Sequence, residues 1–368
     1  MLAKIPLIYV RLPLLSILCL CLAALGGCRQ PPPVEPPAAP LRIAGWAGYI
    51  PQTMLDGFAE EFGVQVEYVI YSSQDEAIEQ IRSGISYDVV VMGNSYIPQL
   101  VAEGLLAKLD YSNIPNFHNI SPNFRDLAFD PGNQYSAPFQ WGTTGLVVRT
   151  DRAEAPITRW ADLWDARYAG KIGLWPLQGD ILGMALKSLG YSINSDNPAQ
   201  LREAEERLLA LRRQVFLIDP NLPTGVSYLL DDSTVMIHGW SYDALAAQEE
   251  LDTVAYVLPK EGTMLWTDNL VIPTETTQKQ TAEQFINYVL RPEVSAQIVN
   301  EIYIATPNDA ARPLIRPEIL NDPAVFPKDE SLQDAEFFVP LPPEVQQLHD
   351  EIWQRFLTEG DRAHAALP

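Results

Sequence analysis

The chain has 368 residues, 47% of them hydrophobic, and 47 acidic against 25 basic side chains give a formal charge of −22. That length suits two lobes of ordinary size. So acidic a balance argues against a nucleic-acid partner, which needs a basic face, and is compatible with a small cation drawn in by the summed field.

Lys4 and Arg11 precede an uncharged apolar run from Leu14 to Leu25, which closes in Leu25-Gly26-Gly27-Cys28. Basic residues, apolar run and small residues before a Cys follow the order of a lipoprotein signal peptide, residues 1–27, with Cys28 as the lipidated first residue of the mature chain. The apolar run is short of the roughly 20 residues that a spanning helix needs. Cys19 and Cys21 fall within the removed segment. The mature chain is therefore expected to hold no disulfide, no Cys-based metal site and no thiol nucleophile. Residues 30–40 read QPPPVEPPAAP, a polyproline II spacer between lipid and body.

From Leu41 the pattern alternates. A strand is predicted at 41–45, then a helix at 51–62 with Pro51 at its first position and Met54, Leu55, Phe58 and Phe62 on one face. Strand 64–70 follows, and Ser73 with Glu76 forms a capping-box pattern opening a helix to Arg82. An apolar strand at 87–92 and a helix at 96–103 complete this half. The pattern restarts with a strand at 145–149, a short helix at 160–164, strand 171–175 and helix 179–189. Asn197-Pro198 opens an amphipathic helix to Arg213, with Glu203 and Arg207 spaced as an i,i+4 pair. Strands at 215–218, 234–238, 253–258 and 270–273 and helices at 278–290, 292–300 and 343–357 finish the body. Such alternation implies doubly wound α/β sheets. Ligands bind these at the carboxyl ends of the strands, and two lobes make a cleft that closes by hinge motion.

Within Leu265-Trp266-Thr267-Asp268, Trp266 and Asp268 share a face if the segment is extended. An indole face beside a carboxylate attracts an organic cation. A core indole beside a turn-capping acid fits the same two residues, so the pair alone leaves both open.

Several stretches in order carry a resemblance: Gly45-Trp46-Ala47-Gly48-Tyr49-Ile50-Pro51, Tyr87-Asp88-Val89-Val90-Val91, Tyr135-Ser136-Ala137-Pro138-Phe139-Gln140-Trp141-Gly142, Trp160-Ala161-Asp162-Leu163-Trp164, Leu265-Trp266-Thr267-Asp268 and Ala305-Thr306-Pro307-Asn308. Together they resemble the spermidine/putrescine-binding proteins of polyamine ABC transporters, within the type II periplasmic substrate-binding proteins. The resemblance implies a two-lobe Venus-flytrap fold, each lobe a doubly wound mixed sheet flanked by helices. The first lobe would span 41–144 and 268–314 and the second 145–267 and 315–368, after a linker at 28–40. It implies a monomer held to the membrane by its lipid, in the periplasm, that hands its amine to a permease. No catalytic residue, cofactor or metal is implied.

Carried over by position, Trp46, Tyr49, Asp180, Trp240, Trp266 and Asp268 are the ligand-binding candidates, and Ser95, Tyr242 and Tyr303 are further ones. Gly48 and Leu177 stand where the family has acids, and Gly93-Asn94-Ser95 replaces small hydroxylated and aromatic positions. Fewer anionic anchors imply fewer ammonium groups: putrescine before spermidine, or a zwitterion such as γ-aminobutyrate. Two other classes compete. Asp180 and Asp268 facing each other would suit a carboxylate-dependent hydrolase, although the four His have no metal spacing and no Gly-x-Ser-x-Gly elbow occurs. A ferric-ion receptor is disfavoured because indoles flank the candidate acids.

Overall fold

A computed structural model describes residues 39–365, apart from 221 and 223, and no side chains from 360 to 365. The signal-peptide, linker and Cys28 expectations lie outside the described residues. Among the described residues ten strands form the framework. In chain order β1 is Leu41–Gly45, β2 Val66–Ile70, β3 Val89–Gly93, β4 Ser136–Arg149, β5 Ile172–Leu174, β6 Val215–Leu217, β7 Met236–Gly239, β8 Val254–Val257, β9 Met264–Val271 and β10 Glu336–Phe337. The helices are α1 Gln52–Phe62, α2 Gln74–Arg82, α3 Ile97–Ala102, α4 Gln178–Ser188, α5 Pro198–Arg212, α6 Val226–Leu230, α7 Ser241–Gln248, α8 Lys279–Val289, α9 Pro292–Ile302, α10 Pro317–Leu320 and α11 Pro343–Ala365.

The strands run in the order β2-β1-β3-β9-β4-β7-β5-β6, with β10 beside β9 and β8 beside β4. β1, β2 and β3 are parallel, and β9 lies antiparallel between β3 and β4. β4 joins the two halves: residues 136–144 pair with β9, and residues 145–149 pair with β7 and β8. All fourteen of its positions are buried, as expected of a strand covered on both faces. One core gathers Leu41, Phe58, Val89, Leu270 and Phe285; another gathers Leu146, Leu174, Met184, Leu208 and Phe356. Ile315, Ile319, Val325 and Phe326 pack with Ala296 and Val299 of α9 in a smaller cluster.

Most predicted elements are present within a few residues, and four details differ. Pro51 is the N-cap of α1, not its first helical residue. β4 begins nine residues before the predicted 145, because a strand buried on both faces carries no alternation to mark its start. β9 begins at Met264 rather than 270. Glu203 and Arg207 do not pair: Glu203 accepts from the Tyr191 hydroxyl at 2.8 Å, and Arg207 donates to Ser188 Oγ at 2.7 Å and lies over the Trp164 ring.

Candidate functional site

Two antiparallel neighbours set out the site. Gln140, Gly142 and Thr144 of β4 lie opposite Asp268, Trp266 and Met264 of β9. Residues two apart on a strand share a face, as do residues directly opposite across a pair. One sheet surface therefore carries Asp268 and Gln140 at one end, the Trp266 indole in the middle and Thr144 at the other end. Gly142 makes room for the indole: a Cβ there would sit 2.3 Å from Trp266 Cζ2. Gly142→Ala is expected to displace the ring and cost about 1–3 kcal/mol of stability, read from thermal unfolding and the Trp emission spectrum. An unchanged melt with an unchanged spectrum would contradict this packing.

The first turn of the fold supplies the partners of Asp268. After β1, Tyr49 N–H donates back to Trp46 C=O at 3.2 Å, closing a tight turn through Gly48 at φ 72. A positive φ suits glycine and opposes a side chain, which gives a backbone reason for the missing acid at Gly48. The turn sends the Tyr49 hydroxyl to Asp268, where it donates to Oδ2 at 2.5 Å. Trp46 packs edge-on to Tyr71, with ring centroids 4.7 Å apart. Burial raises the Asp268 carboxyl to about 6, and the Tyr49 bond pulls the other way. Burial also pushes the Tyr49, Tyr71 and Tyr242 hydroxyls well above their ordinary value, with Asp268 adding to each. Trp46, Tyr49, Trp266 and Tyr242 all pack on the core beneath β1 and β3, although Tyr242 belongs to α7 of the other half.

Asp180, in the first turn of α4, faces the far end of the row. Its Oδ2 accepts from Thr144 Oγ1 at 3.3 Å and lies 3.6 Å from His238 Nε2. His238 is fully buried, and its Nδ1 accepts the Trp175 N–H at 3.0 Å, which puts the ring proton on Nε2, toward Asp180. Asp180 also helps push the Tyr96 hydroxyl up to about 12, after burial and Asp75. Trp240 caps α7, stacks on Tyr242 at 5.6 Å and an interplanar angle of 10°, and tilts against Trp175 at 5.9 Å.

Two candidates are not gathered in. Ser95 is exposed in the turn after β3. Tyr303 ends α9 in the left-handed region at φ 59, with its ring under the Arg316 guanidinium and its hydroxyl accepting from it at 3.1 Å. Three residues of the site were not singled out from sequence. Asn94 exchanges hydrogen bonds with Thr267, at 2.9 and 3.1 Å, and so pins the strand between Trp266 and Asp268. Asp243 is fully buried, accepts the Gly225 and Trp240 N–H groups and is raised to about 6 by burial. Gln140 is the third. The signal for Gln140 is a polar side chain between Phe139 and Trp141 in a strand buried throughout; Asp243 carries the signal of an acid at the third helical position.

Comparison with known proteins agrees with the fold. The family profile for bacterial extracellular solute-binding proteins matches residues 53–327, about three quarters of the chain. The chain belongs to that family. Among its relatives, the spermidine/putrescine-binding periplasmic protein of Escherichia coli is 34% identical over 300 residues, 81% of this chain and 86% of the relative. The putrescine-binding periplasmic protein of Pseudomonas aeruginosa is 30% identical over 335 residues, covering 86% and 91%. The crystal structure of the spermidine/putrescine ABC transporter substrate-binding protein of Streptococcus pneumoniae superposes with a TM-score of 0.79 at 31% identity, covering 88% of this chain and all of that one. The family resemblance read from the motifs is therefore borne out, as is the two-lobe α/β fold. Solute-binding proteins of this family are receptors rather than enzymes.

Proposed function

We propose that this chain is the extracytoplasmic substrate-binding component of an ABC importer and that it binds a short polyamine, putrescine before spermidine, in the cleft between its halves. One observation carries the reading: a row on β4 and β9 has Asp268 at one end, the Trp266 ring in the middle and Thr144 at the other end, where Thr144 bonds to Asp180 of α4. A diamine has two ammonium ends and an apolar middle. Carboxylates at the ends and rings along the methylenes are complementary to it, and rings that exclude water strengthen each charge pair. Trp46, Tyr49, Trp240 and Tyr242 are the remaining aromatic walls. The names of the relatives point to the same ligands.

With Gly48 at the first turn and Leu177 before α4, the site has few further anions for a third ammonium. The lobes are proposed to exchange at β4 and again at β9, so that closure swings Asp180 and Trp240 toward Asp268. The membrane partner is proposed to be the importer's permease, with the body tethered as a monomer by a lipid on Cys28. Calorimetric titration of the body with putrescine, spermidine and γ-aminobutyrate tests the reading. Putrescine is expected to bind most tightly. Heat from γ-aminobutyrate alone, or from none of the three, would overturn it.

A further inference from the structure

Gln140 is 1% exposed, and neither its Oε1 nor its Nε2 finds a hydrogen-bond partner among the described residues. A buried amide left this way is costly, and most such groups in folded proteins are paired. Its position says what it faces. Gln140 lies directly opposite Asp268 on β9, a placement that puts two Cβ atoms about 5 Å apart on one face. Gly142, two residues on, is covered by Trp266, which fixes the same face for both pairs. The Trp266 Nε1 beside it is also buried without a partner among the described residues. The Tyr49 hydroxyl is already committed to Asp268.

We propose that Gln140 makes the Asp268 end of the site selective for a primary ammonium. The proposal rests on the amine-receptor reading above. A primary ammonium carries three N–H donors in a tripod. The Asp268 carboxylate accepts part of that set, and Gln140 Oε1, projecting from the neighbouring strand, accepts another donor from a different direction. An N-methylated ammonium keeps the charge and still pairs with Asp268, but it turns a methyl toward Gln140 and leaves the amide unpaired. A site that hydrogen-bonds a polar group discriminates strongly against an analogue lacking it, because its own buried groups are then orphaned. An apolar residue at 140 would hold both kinds of amine by charge and rings alone.

The test is calorimetric titration of the wild type and of Gln140→Met with putrescine and with N,N,N′,N′-tetramethylputrescine. Wild type is expected to prefer the primary diamine by about tenfold or more. Gln140→Met is expected to weaken putrescine by about tenfold, change the tetramethyl compound little and so close most of that gap. Because Met has a similar volume and no buried amide, the melting temperature of the unliganded variant is expected to hold or rise. Equal weakening of both ligands, or an unchanged ratio, overturns the assignment of Gln140. The wild-type ratio is a check that needs no variant: no preference for the primary diamine overturns it too. A wild type that binds neither diamine brings down the polyamine reading itself, an outcome distinct from a wild type that binds both equally.

Discussion

Asp268→Ala is expected to lower putrescine affinity by between about a hundredfold and several thousandfold, because an ammonium left in a closed site without its carboxylate costs about 3–5 kcal/mol. The side chain is 9% exposed and accepts from the buried Tyr49 hydroxyl, so truncation orphans both the ligand and Tyr49. Asp268→Asn separates charge from shape: the amide oxygen still accepts from Tyr49, but the anion is gone. Affinity should fall nearly as far, while the unliganded protein becomes more stable at pH 7.5. The reason lies in the carboxyl raised to about 6 by burial. Ionising it in the fold costs on the order of 1–3 kcal/mol relative to the unfolded chain. Opposite signs for binding and stability mark a charge kept for a ligand. An Asp268→Asn protein that binds as tightly as wild type would remove Asp268 from the site, and one that melts lower would show that the ionised carboxylate stabilises the fold.

The sequence made some parts of this molecule legible and hid others for physical reasons. α1, α2 and α5 were readable because one face is apolar and one end carries a cap or glycine: Ser73 Oγ accepts from Glu76 N–H, Asn197 Oδ1 accepts from Ala199 N–H, and Gly63 ends α1 in the left-handed region. β4 and β9 were foreshortened because burial on both sides erases the period of two. This mattered most at the site, since the pairing of Gln140, Gly142 and Thr144 with Asp268, Trp266 and Met264 is a property of register. Nothing in a single sequence fixes which residue of one strand faces which of another.

Candidate residues divide along the same line. Trp266 and Asp268 were legible through local spacing, Trp46 and Tyr49 through the family resemblance, and the structure brings the Tyr49 hydroxyl to the Asp268 carboxylate. Tyr303 was a further candidate of the resemblance, and the left-handed turn at the end of α9 sets its ring under Arg316. Asp243 was not singled out from the sequence, and Asn94 entered only as a departure from the family's residues. Asp243 does cap α7, but its full burial comes from long-range packing that also brings the Gly225 N–H to its carboxylate. Residue type and spacing thus identify a ring beside an acid, and only topology shows that a second acid bonds to the far end of the same row.

Putrescine affinity is expected to fall as pH drops through about 6, roughly tenfold by pH 5 and about a hundredfold by pH 4 relative to pH 7.5. The diamine does not titrate in this range, since alkyl amines lose their protons near pH 10. The change therefore arises in the protein. Asp268 is raised to about 6 by burial, so below that pH the free site holds a neutral acid, and binding must first expel its proton. Each pH unit below the carboxyl's own value then weakens binding about tenfold. Tyr49, Tyr71 and Tyr242 around it are pushed above their ordinary value and stay neutral. Stability without ligand runs the other way. Asp268 and Asp243 are both raised to about 6 from 3.8, so the fold binds more protons than the unfolded chain between those values. Its stability falls as pH rises through that window, by on the order of 3 kcal/mol per group. Putrescine offsets the Asp268 share by pairing with the ionised form. The thermal shift on adding putrescine should therefore be small at pH 5 and large at pH 7.5. Asp243→Asn should remove part of the unliganded slope and leave the pH profile of binding in place, because Asp243 is held by the backbone N–H groups of Gly225 and Trp240. A dissociation constant that stays level between pH 5 and 7.5 would mean that Asp268 is already ionised in the free protein, and that its burial is offset by a partner other than the ligand.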